Sequence, residues 1–202
     1  MNYCVYGASS DAIDRAYIEA GEELGRTMAR HGHGMVFGGG ASGLMGAVAR
    51  GIDAAGTTEI IGIAPHFFDV DGVLYTSCTR MIYTDTMRER KKLMEEMADG
   101  FIITPGGVGT MDEFFEILTL KQLGSHGKPI AIYNVDHYYD KLAEFLQQMA
   151  DRNFMKQASL SLFRIEEDPE ALVSWIESQR ESMVDLASMK SINWTLQKGV
   201  KS

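Results

Sequence analysis

Two charged residues, Arg90 and Glu113, stand where an amphipathic helix would place an apolar side chain. In Met87-Arg-Glu-Arg-Lys-Lys-Leu-Met-Glu-Glu-Met97, Leu93, Met94 and Met97 follow Arg90 by three, four and seven residues, so Arg90 shares their stripe. An arginine there either snorkels its head to water or meets an anion. Lys92, Glu95 and Glu96 fall on the opposite, solvated face, with Arg88 and Lys91 at its margins. Over 110–123, Glu113 shares its face with Ile117 and Leu120, while Asp112 points a quarter-turn or more away. Two readings fit Glu113. It closes a capping box with Thr110 as N-cap, or it is a partly desolvated carboxylate able to act as a base or steady a cation.

Glycine-rich runs supply the second kind of chemistry. Gly38-Gly-Gly-Ala-Ser-Gly-Leu-Met-Gly46 and Pro105-Gly-Gly-Val-Gly-Thr110 each follow a predicted strand and open a predicted helix. Glycine lets the backbone approach a ligand closely, and a helix N-terminus offers free N–H groups to a phosphate. Neither run is a P-loop, because no Lys-Ser/Thr pair closes it. A tight turn accounts for either run alone; two at the same kind of junction point to a ligand crevice and to phosphate binding. Ser9 and Ser10, after the first strand, fit either ligand contacts or a plain turn. His31 and His33 flank a glycine at a helix end, where capping accounts for them, and His66, His126 and His137 are scattered without a metal signature. No metal site is expected.

The elements that must position these residues follow from hydrophobic patterning. Tyr3–Tyr6, Met35–Phe37, Ile60–Ala64, Met81–Tyr83, Phe101–Thr104 and Ile130–Tyr133 read as buried strands, most continuously apolar, as in a parallel sheet covered on both faces. Helical stretches alternate with them, over 11–31, 42–55, 86–98, 110–123 and 137–151, and a strand near Leu162–Ile165 with a helix after Pro169 completes the pattern. The order predicts an α/β fold, a Rossmann-like doubly wound parallel sheet flanked by helices, with ligands beyond the carboxyl ends of the strands. A single domain over 1–182 is expected, with 183–202 a tail or docked helix.

The formal net charge of -9 argues against a nucleic-acid polymer as partner. No apolar run is long enough for a membrane span, and Met1-Asn-Tyr-Cys-Val-Tyr6 has neither a basic leader nor a long apolar run. The cytoplasm is the expected compartment. Cys4 and Cys78 form no metal-ligand spacing, and Cys4 reads as a buried thiol.

Together these residues resemble the Lonely Guy family of cytokinin riboside 5′-monophosphate phosphoribohydrolases. The likeness runs from Cys4-Val-Tyr-Gly-Ala-Ser-Ser10 to about Phe154. It is carried by the Gly38–Gly46 turn, Asp85-Thr-Met-Arg-Glu-Arg-Lys91, Pro105-Gly-Gly-Val-Gly-Thr-Met-Asp-Glu113, and Gly127-Lys-Pro with Asn134-Val-Asp and Tyr138-Tyr139. The resemblance implies hydrolysis of the N-glycosidic bond of a nucleoside 5′-monophosphate, typically an N6-substituted AMP, to free base and ribose 5-phosphate, without metal or other cofactor. It implies Arg90 and Glu113 as the essential pair and Gly106, Gly107, Val108, Gly109 and Thr110 as the phosphate loop. Lys91, Asp112, Met87, Ser9, Gly39 and Gly40 are expected beside the substrate. It further implies a homodimer or an assembly of dimers, with the site near the subunit interface. Members were often labelled lysine decarboxylases, but no lysine here sits in a recognisable pyridoxal-phosphate context. The chain departs from the family at Leu120-Lys-Gln-Leu-Gly124, where a tryptophan often stands first, and in having Asp112 where glutamate is more usual. The acid that usually precedes the arginine helix has no clean match, with Asp69 and Asp71 nearby. Related Rossmann-like proteins bind molybdenum cofactor, so a non-catalytic carrier or sensor of a phosphorylated cofactor is the competing expectation. A broader AMP or nucleotide nucleosidase is a third.

Overall fold

The computed structural model describes residues 1–56 and 58–179; the expected tail at 183–202 lies outside them. Seven strands, β1 (Asn2–Tyr6), β2 (Gly34–Phe37), β3 (Ile60–Pro65), β4 (Arg80–Thr84), β5 (Gly100–Ile103), β6 (Ile130–Tyr133) and β7 (Arg164–Glu166), form one sheet in the order β4-β3-β2-β1-β5-β6-β7. Every pairing is parallel. Among the described residues α1 (Arg15–Arg30), α2 (Gly43–Asp53), α3 (Met87–Met97), α4 (Val108–Gln122) and α5 (Asp140–Asp151) lie between strands, α6 (Pro169–Ser178) follows β7, and β3 leads to β4 without an α-helix. The winding reverses between β1 and β5, so a crevice opens where their carboxyl ends diverge.

Strand periodicity explains why the apolar runs are continuous. On β1, Cys4 and Tyr6 join a core with Phe101, Ile103, Met94 of α3 and Phe114 of α4. Tyr3 and Val5 join the opposite core, with Leu24 and Met28 of α1, Val48 and Ile52 of α2 and Ile176 of α6. Each strand residue therefore meets apolar partners whichever way it points. The exception is β4. Expected to be buried over Met81–Tyr83, it is the edge of the sheet, with Arg80 and Tyr83 exposed and Met81 and Ile82 half-buried.

Helix starts depart from periodicity where a cap intervenes. The α1 helix begins at Arg15, later than expected, because the Asp14 carboxylate caps it, accepting from the Ala16 amide at 3.0 Å. The α5 helix starts at Asp140 rather than 137, since Asp136 and His137 adopt positive φ angles of 49° and 58° and cannot continue a right-handed helix.

The pair α1 and α2 packs backbone against backbone. A Cβ on Gly25 would lie 2.2 Å from the Val48 carbonyl oxygen, and one on Gly51 would lie 2.1 Å from that of Glu22. Neither neighbour is a flexible side-chain end, so the helices must separate to admit a methyl group. Gly25→Ala is expected to lower stability by about 1–3 kcal/mol, as overpacked cores do. A reduced urea midpoint with unchanged m-value checks it.

Candidate active site

The loops leaving β1 and β5 are bound to each other at the switch point. The Ala8 amide donates to the Pro105 carbonyl at 2.9 Å, and the Thr104 amide and hydroxyl both donate to the Tyr6 carbonyl, at 2.8 and 3.0 Å. Between the loops lies a cavity of about 220 Å³ lined by Ala8, Ser10, Tyr17, Pro105, Gly107 and Tyr138, among others. The Tyr138 hydroxyl donates to the Gly106 carbonyl at 2.8 Å, and Tyr17 meets the Tyr138 ring edge-on at 6.0 Å. Gly107 is the N-cap of α4 and supplies no side-chain cap; with Val108 and Gly109 it is exposed, while Gly106 and Thr110 are buried. The first turn of α4 thus presents its backbone amides and positive dipole end at the cavity mouth without an acid of its own.

The first glycine cluster differs. Its helix also starts at a strand end, but the Gly43 amide donates to the Asp11 carboxylate at 2.7 Å, and the Leu44 and Met45 amides donate to the Ala8 carbonyl at 2.9 and 3.5 Å. The Gly43 amide holds the Asp11 carboxyl below its ordinary range. Upstream, Ala41 donates to Val73, Tyr75 donates to Gly39, and Gly40 pairs with Leu74. Gly39 and Gly40, expected beside a ligand, serve here to fasten the segment around Leu74. The amides opening α2 meet protein acceptors, so of the two glycine-rich helix starts it is α4 whose first-turn amides face the cavity.

Arg90 and Glu113 meet on the other side of β1. The α3 helix opens with a capping box, Thr86 accepting from the Glu89 amide and Glu89 accepting from that of Thr86. This places Arg90 at the end of the first turn, pointing under the sheet edge with its side chain only 8% exposed. Its Nε donates to the Ile63 carbonyl at 3.1 Å and its Nη1 to Glu113 Oε1 at 3.4 Å. Among the described residues no other acceptor meets the guanidinium, which carries five N–H donors. Gly38 makes the room: a Cβ there would sit 1.9 Å from Arg90 Nη2. This seat was not legible in the sequence, where nothing separates Gly38 from its two glycine neighbours. Tyr138 was legible only as part of the family pattern.

The capping reading of Glu113 fails because α4 begins at Val108, so Thr110 lies within the first turn and Glu113 in the second. Burial pushes the Glu113 carboxyl up to about 7, with Arg90 pulling the other way. Lys91 Nζ is 3.0 Å from Asp112 and 2.6 Å from Glu116, and the latter chiefly raises its pKa. Met87 and Ser9 are exposed, the first opening α3 and the second in the β1–α1 loop. Glu95, expected on the solvated face, is half-buried, and burial raises its pKa.

A doubly wound parallel sheet with a glycine-rich helix start at its switch point, together with a buried arginine–carboxylate pair, defines a Rossmann-like α/β protein. Residues 45–176 match the family model described as "Possible lysine decarboxylase". The chain is 36% identical over 164 residues to a cytokinin riboside 5′-monophosphate phosphoribohydrolase of Rhodococcoides fascians, covering 80% of this chain and 82% of that one. A protein of the same name from Arabidopsis thaliana is 34% identical over 156 residues, covering 77% and 73%. The chain belongs to the Lonely Guy family of phosphoribohydrolases. Among solved structures, the molybdenum cofactor carrier protein of Chlamydomonas reinhardtii superposes with a TM-score of 0.67 at 20% identity, covering 88% of this chain and 96% of that one, and shares the fold.

The Glu113 shift carries a sign for stability. Its folded pKa of about 7 lies above the ordinary 4.5, so the stability the neutral carboxyl contributes is complete below pH 4.5 and lost as pH rises through 7. Glu113→Gln mimics the neutral form. Its stability relative to wild type is expected to improve by up to about 3 kcal/mol between pH 4 and 8. Denaturation of both proteins across that range checks this; a gap independent of pH would refute a shifted Glu113.

Proposed function

We propose that the chain hydrolyses the N-glycosidic bond of a nucleoside 5′-monophosphate, with an N6-substituted adenosine 5′-monophosphate as the preferred class, releasing free base and ribose 5-phosphate. The observation that carries this reading is Arg90: buried, aimed at a carboxyl whose pKa is raised to about 7, and met by two protein acceptors among the described residues. A structural arginine would be ringed by carbonyls, whereas this one keeps donors for an oxygen or nitrogen of a ligand. The named relatives act on cytokinin riboside 5′-monophosphates.

In this mechanism the first-turn amides of α4, from Gly107 to Thr110, hold the 5′-phosphate, with Gly106 shaping the approach. Lys91, Asp112, Met87 and Ser9 border the substrate, and Gly39 and Gly40 fasten the β2 loop to the segment around Leu74. Breaking the C1′–N bond leaves positive charge on the ribose ring and the electron pair on the base. The Glu113 carboxylate stabilises that charge and takes a proton from the water whose oxygen bonds C1′, the departing base gains one proton in exchange, and Arg90 orients the ribose or the leaving base. A carboxyl near 7 holds and releases a proton equally well at neutral pH. The chain works on this reading as a cytoplasmic dimer or assembly of dimers, which fits the exposed Val108 and Phe115 on α4.

The carrier reading rests on fold alone, since the molybdenum cofactor carrier proteins are about 20% identical. A panel of nucleoside 5′-monophosphates, scored for released base and ribose 5-phosphate, separates the two; release from none would favour the carrier. Glu113→Gln is expected to lower turnover by about 10²–10⁴-fold with nucleotide binding largely kept, and unchanged turnover would sink the assignment. Gly38→Ala is expected to displace the Arg90 guanidinium and cost about 10²-fold in kcat, the penalty of misplacing a positioned group. Thermal denaturation of that variant shows whether the fold itself survives.

A further inference from the structure

The amino-terminal edge of the sheet, opposite the crevice, gathers a second set of side chains. His31 closes α1, His33 immediately precedes β2, and Glu170 and Glu177 lie seven residues apart on α6. His31 Nδ1 is 3.1 Å and His33 Nε2 is 2.6 Å from the same oxygen, Glu177 Oε1, while His31 Nε2 is 2.5 Å from Glu170 Oε1. One ligating atom from each of His31, His33 and Glu177 lies within 4.8 Å of the other two. Capping, the expected role of the two histidines, does not account for side chains converging on one carboxylate.

Hydrogen counting shows what this arrangement lacks. A neutral imidazole has a single N–H, yet His31 faces a carboxylate oxygen at both ring nitrogens. With the Nε2 hydrogen directed at Glu170, the Nδ1 lone pair faces Glu177, to which His33 also turns. A second ring proton or a cation must lie between them. His33 is 6% exposed, and its Nδ1 and the hydroxyl of the wholly buried Tyr3, whose ring is 4.8 Å away, have no hydrogen-bond partner among the described residues.

Two imidazole nitrogens and one carboxylate form a donor set for zinc and its late first-row neighbours rather than for calcium or magnesium. At zinc–nitrogen bonds of about 2.0–2.1 Å, tetrahedral ligand atoms lie about 3.4 Å apart. Glu177 Oε1 is 2.6 and 3.1 Å from the two ring nitrogens and the three donors lie within 4.8 Å of one another, so a small retreat of the carboxylate and an approach of the two rings admit the ion. Glu170 already stands where a supporting carboxylate fixes a ligand histidine, holding Nε2–H and presenting Nδ1. Its other oxygen is 3.5 Å from Arg30 Nη2, which holds that carboxylate in place. A cleft of about 370 Å³ lined by Met1, Asp99, Lys128, Glu177 and others gives a way in from solvent.

We propose that His31, His33 and Glu177 bind one zinc-class divalent cation, with Glu170 as the positioning residue, clamping α6 to the α1–β2 junction. The test uses the full chain after chelator treatment, titrated with zinc chloride by calorimetry and followed by thermal denaturation. One equivalent of zinc is expected to bind with micromolar or tighter affinity and raise Tm by several degrees, with no shift from magnesium chloride. Glu177→Gln and His31→Gln, which keep side-chain size, are expected to weaken binding at least 100-fold, and Glu170→Gln by about 10-fold. His66→Ala is expected to leave the titration unchanged. Absence of stoichiometric zinc uptake by the wild type would overturn the site, as would uptake that survives both His31→Gln and Glu177→Gln.

Discussion

A guanidinium taken out of water needs acceptors for its donors, and a folded chain has few places to provide them without opening its core. Arg90 finds one such place on β3, where Ile63 lies just past the last pairing with β2 (Phe37 with Gly62) and its carbonyl accepts from the guanidinium, and where Gly38 on the adjoining β2 loop leaves a gap the size of a side chain. Its position depends on much of the fold. The capping box at Thr86 and Glu89 sets where α3 begins, and the β2–β3 pairing sets the distance between Gly38 and Ile63. The start of α4 decides whether Glu113 reaches across. The charge balance that results is unequal: desolvation of Glu113 outweighs the attraction of Arg90, so the carboxyl titrates near neutrality instead of forming a fixed ion pair. A pair of this kind is poor as a staple and well suited to proton transfer.

Helical phase alone put Arg90 and Glu113 on apolar stripes, because burial of one helix face leaves a periodic trace in the chain. What phase could not reveal was the start of each helix. Thr86-Met-Arg-Glu89 and Thr110-Met-Asp-Glu113 share the pattern of a capping box, and only the first forms one. The difference lies upstream: β4 ends two residues before Thr86, whereas Gly107, three residues before Thr110, is itself the N-cap and α4 begins at Val108. A motif three residues apart cannot report that. β4 was legible as a strand but not as an edge, since its missing neighbour is a property of the sheet order.

The two glycine clusters show the same limit at longer range. Both are glycine-rich, both leave a parallel strand and both open a helix, so composition assigns them one role. Their amides differ in what lies opposite. Asp11 and Ala8, from the β1–α1 loop, satisfy the amides of α2, while among the described residues nothing equivalent faces α4. The switch point explains this asymmetry: β1 and β2 are neighbours wound in one sense, so the β1 loop folds over α2, and the β1–β5 boundary where the winding reverses is left open.

Sequence separation also hid His31 and His33. Their spacing carries no metal signature alone, because the group that brings them together, Glu177, is 144 residues beyond His33. A parallel sheet makes such meetings ordinary, for every strand start lies on one edge and every strand end on the other. Catalytic-type chemistry collects at the carboxyl edge, where loops diverge and helix N-termini converge. The opposite edge brings helix C-termini together, whose partial negative charge favours protons and cations. His31 at the close of α1 and Glu177 in the last turn of α6 occupy that ground. The fold therefore offers one edge suited to anions and one suited to cations, and side chains drawn from distant parts of the chain decide how each is used.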